Sequence, residues 1–209
     1  MSMLLVNREG LSMSLNFRGD LISTSSPLQH RMHQLLLFLG YRRSVGSHLR
    51  RILLSPGPPP TLADLKQWAS DPKTLLPSCY LIFCSPTSVL LVERDLATVT
   101  CRSSDDFLVC TNHDLNMEES SEEELAQLLH ERGVSEEAIE DIRHADSVRR
   151  KKYMMRKSGD PSWRKERSLS QIKEWLEEKP VKNEYTHYSC IMDPSAEAGG
   201  LVWVQRYRL

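Results

Sequence analysis

The chain has 209 residues, 40% hydrophobic and 26% charged, with a formal net charge of -1. That is the composition of an ordinary globular protein, and it excludes a general polyanion binder while leaving room for a local basic patch. No run of about 18 apolar residues occurs, so no spanning helix is expected. The N-terminus, M-S-M-L-L-V-N-R-E-G, is too short and too polar for a signal peptide. A cytoplasmic location follows for the chain as written, and a lysosomal or secretory one only for a longer form.

In chain order, G-L-S-M-S-L-N-F-R from Gly10 alternates apolar and polar residues, the period of a strand with one buried face. Leu28 to Leu54 reads as two helices broken at Gly40. S-P-G-P-P-P then ends regular structure, and Thr61 suits the N-cap of a helix reaching about Ser70. Pro77 opens a strand-rich block. Cys79–Cys84, Val89–Glu93, Thr98–Arg102 and Phe107–Thr111 are short runs separated by turn signals, the pattern of an antiparallel meander.

Helices follow. Ser121 with Glu124 has capping-box spacing, and Gly133 closes that helix. Another helix starts near Ser135 and leads to a basic end. Ser168 with Gln171 caps a third, which Pro180 stops. Two strands finish the chain, Thr186–Asp193 and Leu201–Leu209, joined at Gly199-Gly200. The expectation is one α+β domain over residues 1–209, with helices packed on antiparallel sheet.

Cys79, Cys84, Cys101, Cys110 and Cys190 are odd in number and scattered, as expected of buried free thiols in a reducing compartment. His30 and His33 stand at i, i+3 on a helix without a third acidic ligand nearby, so neither metal nor other cofactor is expected. Trp163, Trp175 and Trp203 read as core or rim anchors.

The block T-N-H-D (Thr111–Asp114), the arginine pair of D-S-V-R-R and the later K-P-V-K-N-E-Y-T-H-Y-S-C-I-M-D occur in that order. Together they resemble the C-terminal part of the acid ceramidase and N-acylethanolamine-hydrolysing acid amidase family, whose members carry T-N-Y-D, an arginine pair and P-V-x-N-x-x-T-x-Y. G-L-S-M-S-L-N-F-R is similar to the family's G-L-x-x-L-x-L-N-E-R strand, and L-P-S-C-Y-L-I-F to its proline-led central strand. The resemblance spans about Gly10 to Arg206.

It implies an N-terminal-nucleophile-hydrolase fold, two stacked antiparallel sheets between helical layers, here incomplete at the N-terminus. It also implies hydrolysis of the amide bond of an N-acylated lipid amine by an N-terminal cysteine, whose own α-amino group is the base. By this resemblance Asn112 offers an N–H to the oxyanion, and Asp114 orients or supports the site. Arg149 or Arg150 lies near the nucleophile or substrate carbonyl. Asn16 matches the strand asparagine. His113 replaces the usual tyrosine, and Phe17 stands where the family has Glu. The insertion E-E-L-A-Q-L-L-H-E-R-G lengthens the gap between Asn112 and the arginines.

The plainer readings are an Asx turn for Asn112 and Asp114, and a solvated basic helix end for Arg149 and Arg150. R-R-K-K-Y-M-M-R-K also has the look of a nuclear-targeting or phosphate-binding patch, although acidic neighbours argue against a nucleic-acid partner. No cysteine occupies the nucleophile's place, and Ser2 is the sole terminal substitute. The sequence therefore reads as a fragment, an alternative product or a pseudoenzyme. The alternative function is non-catalytic binding of a lipid amide on the same scaffold. A sheet lacking strands would leave open edges, so aggregation, or a need for a partner chain, is expected.

Overall fold

The computed structural model describes residues 3–6, 10–18, 25–112, 127, 130, 131, 133, 135, 147–161, 163, 168–182, 186–196 and 200–207. They form a mixed α+β chain that divides into two compact units. One comprises Met1–Leu108 with Ile191–Trp203, the other Val109–Cys190 with Val204–Leu209.

The first unit is built on a five-stranded antiparallel sheet in the order β1-β2-β3-β4-β5. The strands are β1 (Met3–Val6), β2 (Ser12–Phe17), β3 (Cys79–Cys84), β4 (Val89–Arg94) and β5 (Val99–Ser104). Three helices intervene between β2 and β3: α1 (Pro27–Phe38), α2 (Val45–Leu54) and α3 (Leu62–Ser70). Each begins at a hydroxyl N-cap, Ser26, Ser44 or Thr61, whose oxygen accepts a backbone N–H that the helix itself leaves unpaired. Ser26 with Gln29 and Thr61 with Asp64 complete reciprocal capping boxes. The chain enters β2 through Gly10, at φ +95, where a Cβ would also meet Pro59 Cγ at 3.3 Å.

The strand period sorts the sheet into two faces. Leu11, Met13, Cys79, Leu81, Phe83, Leu90 and Val92 pack with Val45 and Leu49 of α2, Leu65 and Ala69 of α3, and Leu76 in one apolar cluster. Each fully buried Leu or Phe there contributes about 1.5–3 kcal/mol over its exposed state. Trp68 and His48 border it, with the Trp68 ring edge-on to Phe83 at 6.4 Å.

The second unit holds α4 (Ser147–Ser158) and α5 (Leu169–Glu177). Ser168 and Gln171 form the anticipated capping box of α5, and Gly133 takes φ +76 next to helical Glu131. Strands β6 (Tyr188–Met192) and β7 (Leu201–Arg206) pair in a separate two-stranded sheet.

The sequence reading needs two corrections here. Phe107–Thr111 is not a strand. The residues before it are held locally and by the β3–β4 turn: Asp106 N–H donates to Ser104 Oγ, and Ser88 Oγ donates to Asp105 at 2.7 Å. Strand β1, which pairs along β2 from Met3↔Leu15 to Val6↔Ser12, was not anticipated. The start of the expected helix at Ser121–Glu124 falls outside the described residues, though Gln127, His130 and Glu131 are helical before Gly133. The residues after Ser135 up to Asp146 fall outside them as well.

The core assignment predicts a sharp contrast. Leu49→Ala, at a site with no exposure, should lower the unfolding free energy by about 2–5 kcal/mol in urea titration, whereas Leu28→Ala, 73% exposed, should change it by less than about 0.5 kcal/mol.

Candidate functional site

In the second unit, Asn112 N–H donates to Ser147 Oγ at 2.8 Å. Ser147 is the buried first residue of α4, so this bond brings the T-N segment to the turn of helix that carries Arg149 and Arg150. Asn112 and Arg149 are exposed and Arg150 is half-buried. Two of the three motifs that carry the resemblance, 35 residues apart in sequence, therefore meet at one place. Asn112 does not end a sheet strand. Its backbone is held by a hydroxyl instead, and the residue is exposed. Asp114 and His113 lie outside the described residues.

The basic run occupies α4 along its length. Lys151 and Tyr153 are buried, while Lys152 and Arg156 are exposed. Tyr153 Oη donates to Glu178, just beyond α5, and Lys157 pairs with the same carboxylate at 3.2 Å. These two hydrogen bonds, Tyr153 first, hold the Glu178 carboxyl below its ordinary range. Burial and the Glu178 bond push the Tyr153 phenol up. Trp163 and Trp175, both buried, pack with ring centroids 4.6 Å apart and planes tilted by 56°, as anchors should. Arg149 and Arg150 open the basic run of α4, which continues to Lys157.

Asn16 lies in the first unit, on the sheet face away from the apolar cluster. Register places it in a cross-strand row with Tyr80, Glu93 and Thr100. Glu93 is buried and pairs with Arg102 at 2.9 Å. The sequence reading missed this polar row. Its signal was available, since Glu93 and Arg94 end an otherwise apolar strand.

Also missed was the buried charge network at the end of β4. Asp95 has no exposed surface. It pairs with Arg18 at 3.6 Å and accepts from Ser25 Oγ, Ser78 Oγ and Leu96 N–H. Arg94 donates to the Ala69 and Thr74 carbonyls, and Arg18 to the Arg94 carbonyl. Cys79 borders this network. Burial pushes its thiol up to about 12, against the opposing pull of Arg94 and Arg18. Burial likewise raises Cys84 and Cys190. None of these three thiols is activated for attack, because the thiolate is the nucleophile. Among the described residues no group of three His, Cys, Asp or Glu could hold a metal ion.

A cleft of about 370 Å³ opens beside α1, lined by Leu28, Met32, Leu75, Leu96 and Ala97, with Arg42. Arg42 donates to Nδ1 of buried His33 at 2.9 Å. A guanidinium has no acceptor, so His33 is neutral with its proton on Nε2. Burial first, then Arg42 and His30, hold the His33 pKa below its usual value.

No family model, curated protein or solved structure matches the chain.

Two outcomes test this chemistry. Asp95→Ala strands the Arg18 guanidinium without its counter-charge and should cost about 3–5 kcal/mol of unfolding free energy in urea. His33 and His48 both titrate lower when folded, so the unfolded chain takes up protons first as pH falls below about 6.5. The melting midpoint should therefore drop between about pH 7 and 5, and the His33→Gln/His48→Gln variant should flatten that slope.

Proposed function

We propose that the chain is built on the acid-ceramidase-like scaffold and acts on the amide bond of N-acylated lipid amines of the ceramide or N-acylethanolamine class. The observation that carries this reading is the Asn112–Ser147 hydrogen bond. It supports the reading because the resemblance implies an asparagine donor and an arginine pair at one site, and this bond holds the Asn112 backbone against the first residue of the helix that carries the pair. In the proposed reaction a nucleophile adds to the amide carbonyl carbon and the carbonyl π pair moves onto oxygen, leaving an oxyanion. Collapse of that adduct breaks the C–N bond and releases the amine with the proton the nucleophile gave up, and water completes hydrolysis to the carboxylic acid. The Asn112 side-chain N–H groups stabilise that oxyanion. Arg149 supplies positive charge near the carbonyl, and Arg150 and Asp114 bind and orient substrate. An N-terminal-nucleophile-hydrolase fold is the finer architecture this implies for the α+β chain.

The raised thiols of Cys79, Cys84 and Cys190 favour a second reading. In it the same surface binds a lipid amide without cleaving it.

Incubation with a fluorogenic N-acyl amide, followed by intact mass, separates the two. Hydrolysis is expected under the first reading, and Asn112→Ala should lower its rate by about 10²–10³. Full activity of that variant would remove Asn112 from the oxyanion role. Saturable binding without turnover or adduct would establish the second reading, and neither binding nor turnover in a folded sample would end both.

A further inference from the structure

Helix α1 is apolar on two opposite sides. Its buried side centres on His33, flanked by half-buried His30, Leu36 and Leu37. At about 100° per residue, Leu28, Met32, Leu35 and Leu39 fall within roughly a 60° arc on the other side. A surface helix ordinarily turns polar residues outward there. Here these four are 73%, 49%, 49% and 54% exposed, and Phe38 and Tyr41 at the helix end reach 88% and 79%. Such exposures describe side chains that protrude.

The sequence around this stripe carries charge of a single sign. From Leu21 to Ala63 the sequence contains five arginines and three histidines and no Asp or Glu. Arg31, Arg43, Arg50 and Arg51 are exposed, and none has a carboxylate partner among the described residues. The field is felt locally. Burial comes first, but Arg43 and Arg51 also depress His48, and Arg42 and His30 depress His33.

We propose that the exposed face of α1 and its following turn, Leu28 to Tyr41, is a docking surface for an anionic lipid membrane. Protruding apolar side chains flanked by arginines fit a fluid interface, where Leu, Met and Phe enter the acyl boundary and guanidinium groups meet headgroups. Tyr41 has the amphipathic ring that suits headgroup depth. A second copy of the chain is disfavoured, because pairing the stripes would face arginines with arginines. An acidic amphipathic partner helix is a poorer match, because such a helix needs a groove to lie in and α1 presents a ridge. The apolar cleft beside Leu28 and Met32 adjoins the same stripe. The inference stands on the first unit alone and does not depend on the amidase reading.

The test is flotation of the full chain on a density gradient with vesicles of phosphatidylcholine, alone or with about 30% phosphatidylserine. The wild type should float with the anionic vesicles and remain behind with the neutral ones. Arg31→Ala/Arg43→Ala should weaken partitioning roughly 30-fold, and Leu35→Glu/Leu39→Glu by at least about tenfold. Circular dichroism establishes that each variant is folded. Phe38→Trp, at an exposed position, should add a blue-shifted emission component on anionic vesicles only. Wild-type protein that stays with the soluble fraction would overturn the proposal. So would undiminished flotation of the folded leucine variant. Self-association through this face, or capture of an acidic amphipathic peptide, without vesicle binding would overturn it as well.

Discussion

A carboxylate with no access to water, Asp95, is the constraint on which the first unit depends. Removing such a charge from water costs several kcal/mol, which is offset only when partners surround it. The partners come from separate parts of the chain: Arg18 after β2, Ser25 before α1, and Ser78 before β3. Asp95 N–H also donates to the Thr98 carbonyl, closing the β4–β5 turn. The neighbouring Arg94 reaches back to carbonyls at the end of α3 and beyond it. Register across β2, β3 and β4 follows, with Phe17, Cys79 and Arg94 in one row. A slip by one residue would separate Asp95 from its partners and turn the apolar face outward.

The same network explains why burial beside two arginines does not make a reactive cysteine. Arg94 and Arg18 pull the Cys79 titration down, but desolvation outweighs them. Their guanidinium groups are already committed to carbonyls and to Asp95. Charge in this protein is also segregated along the chain. The near-zero net charge combines an acid-free stretch, Leu21 to Ala63, with an acidic run beginning at Glu118. The total therefore says little about what any one surface attracts.

The elements legible in the sequence were those specified locally. Thr61 and Ser168 were readable as N-caps because capping involves a hydroxyl and an N–H three residues away. Cys79–Cys84 was readable because turn residues bound an apolar run. Phe107–Thr111 has the composition of a strand, but composition does not provide a neighbouring ladder. Strand β1 was missed for the converse reason, since pairing along β2 gives an undistinguished M-L-L-V its conformation. In the candidate site, Asn112 and the arginines were singled out by motif order alone, whereas the Ser147 hydroxyl that accepts from Asn112 N–H was not. A single serine has no signature in a sequence, and neither does a buried Asp95 in what reads as a turn. The polar row of Asn16, Tyr80, Glu93 and Thr100 exists only once four strands are in register.

Sheet order bears on how the first unit assembles. Strands β3, β4 and β5 follow one another with short turns, so their pairing closes small loops. Strand β2 pairs with β3 across the whole of α1, α2 and α3. That pairing has the larger entropic barrier and belongs late in folding, after the β3–β5 meander offers an edge to dock on. Loop-closure entropy grows slowly with length, by about 0.6 kcal/mol per doubling. The helical segment between Phe17 and Cys79 is therefore the part of this unit where evolution can lengthen or exchange structure at least thermodynamic cost, provided that Arg18, Ser25 and Ser78 still converge on Asp95.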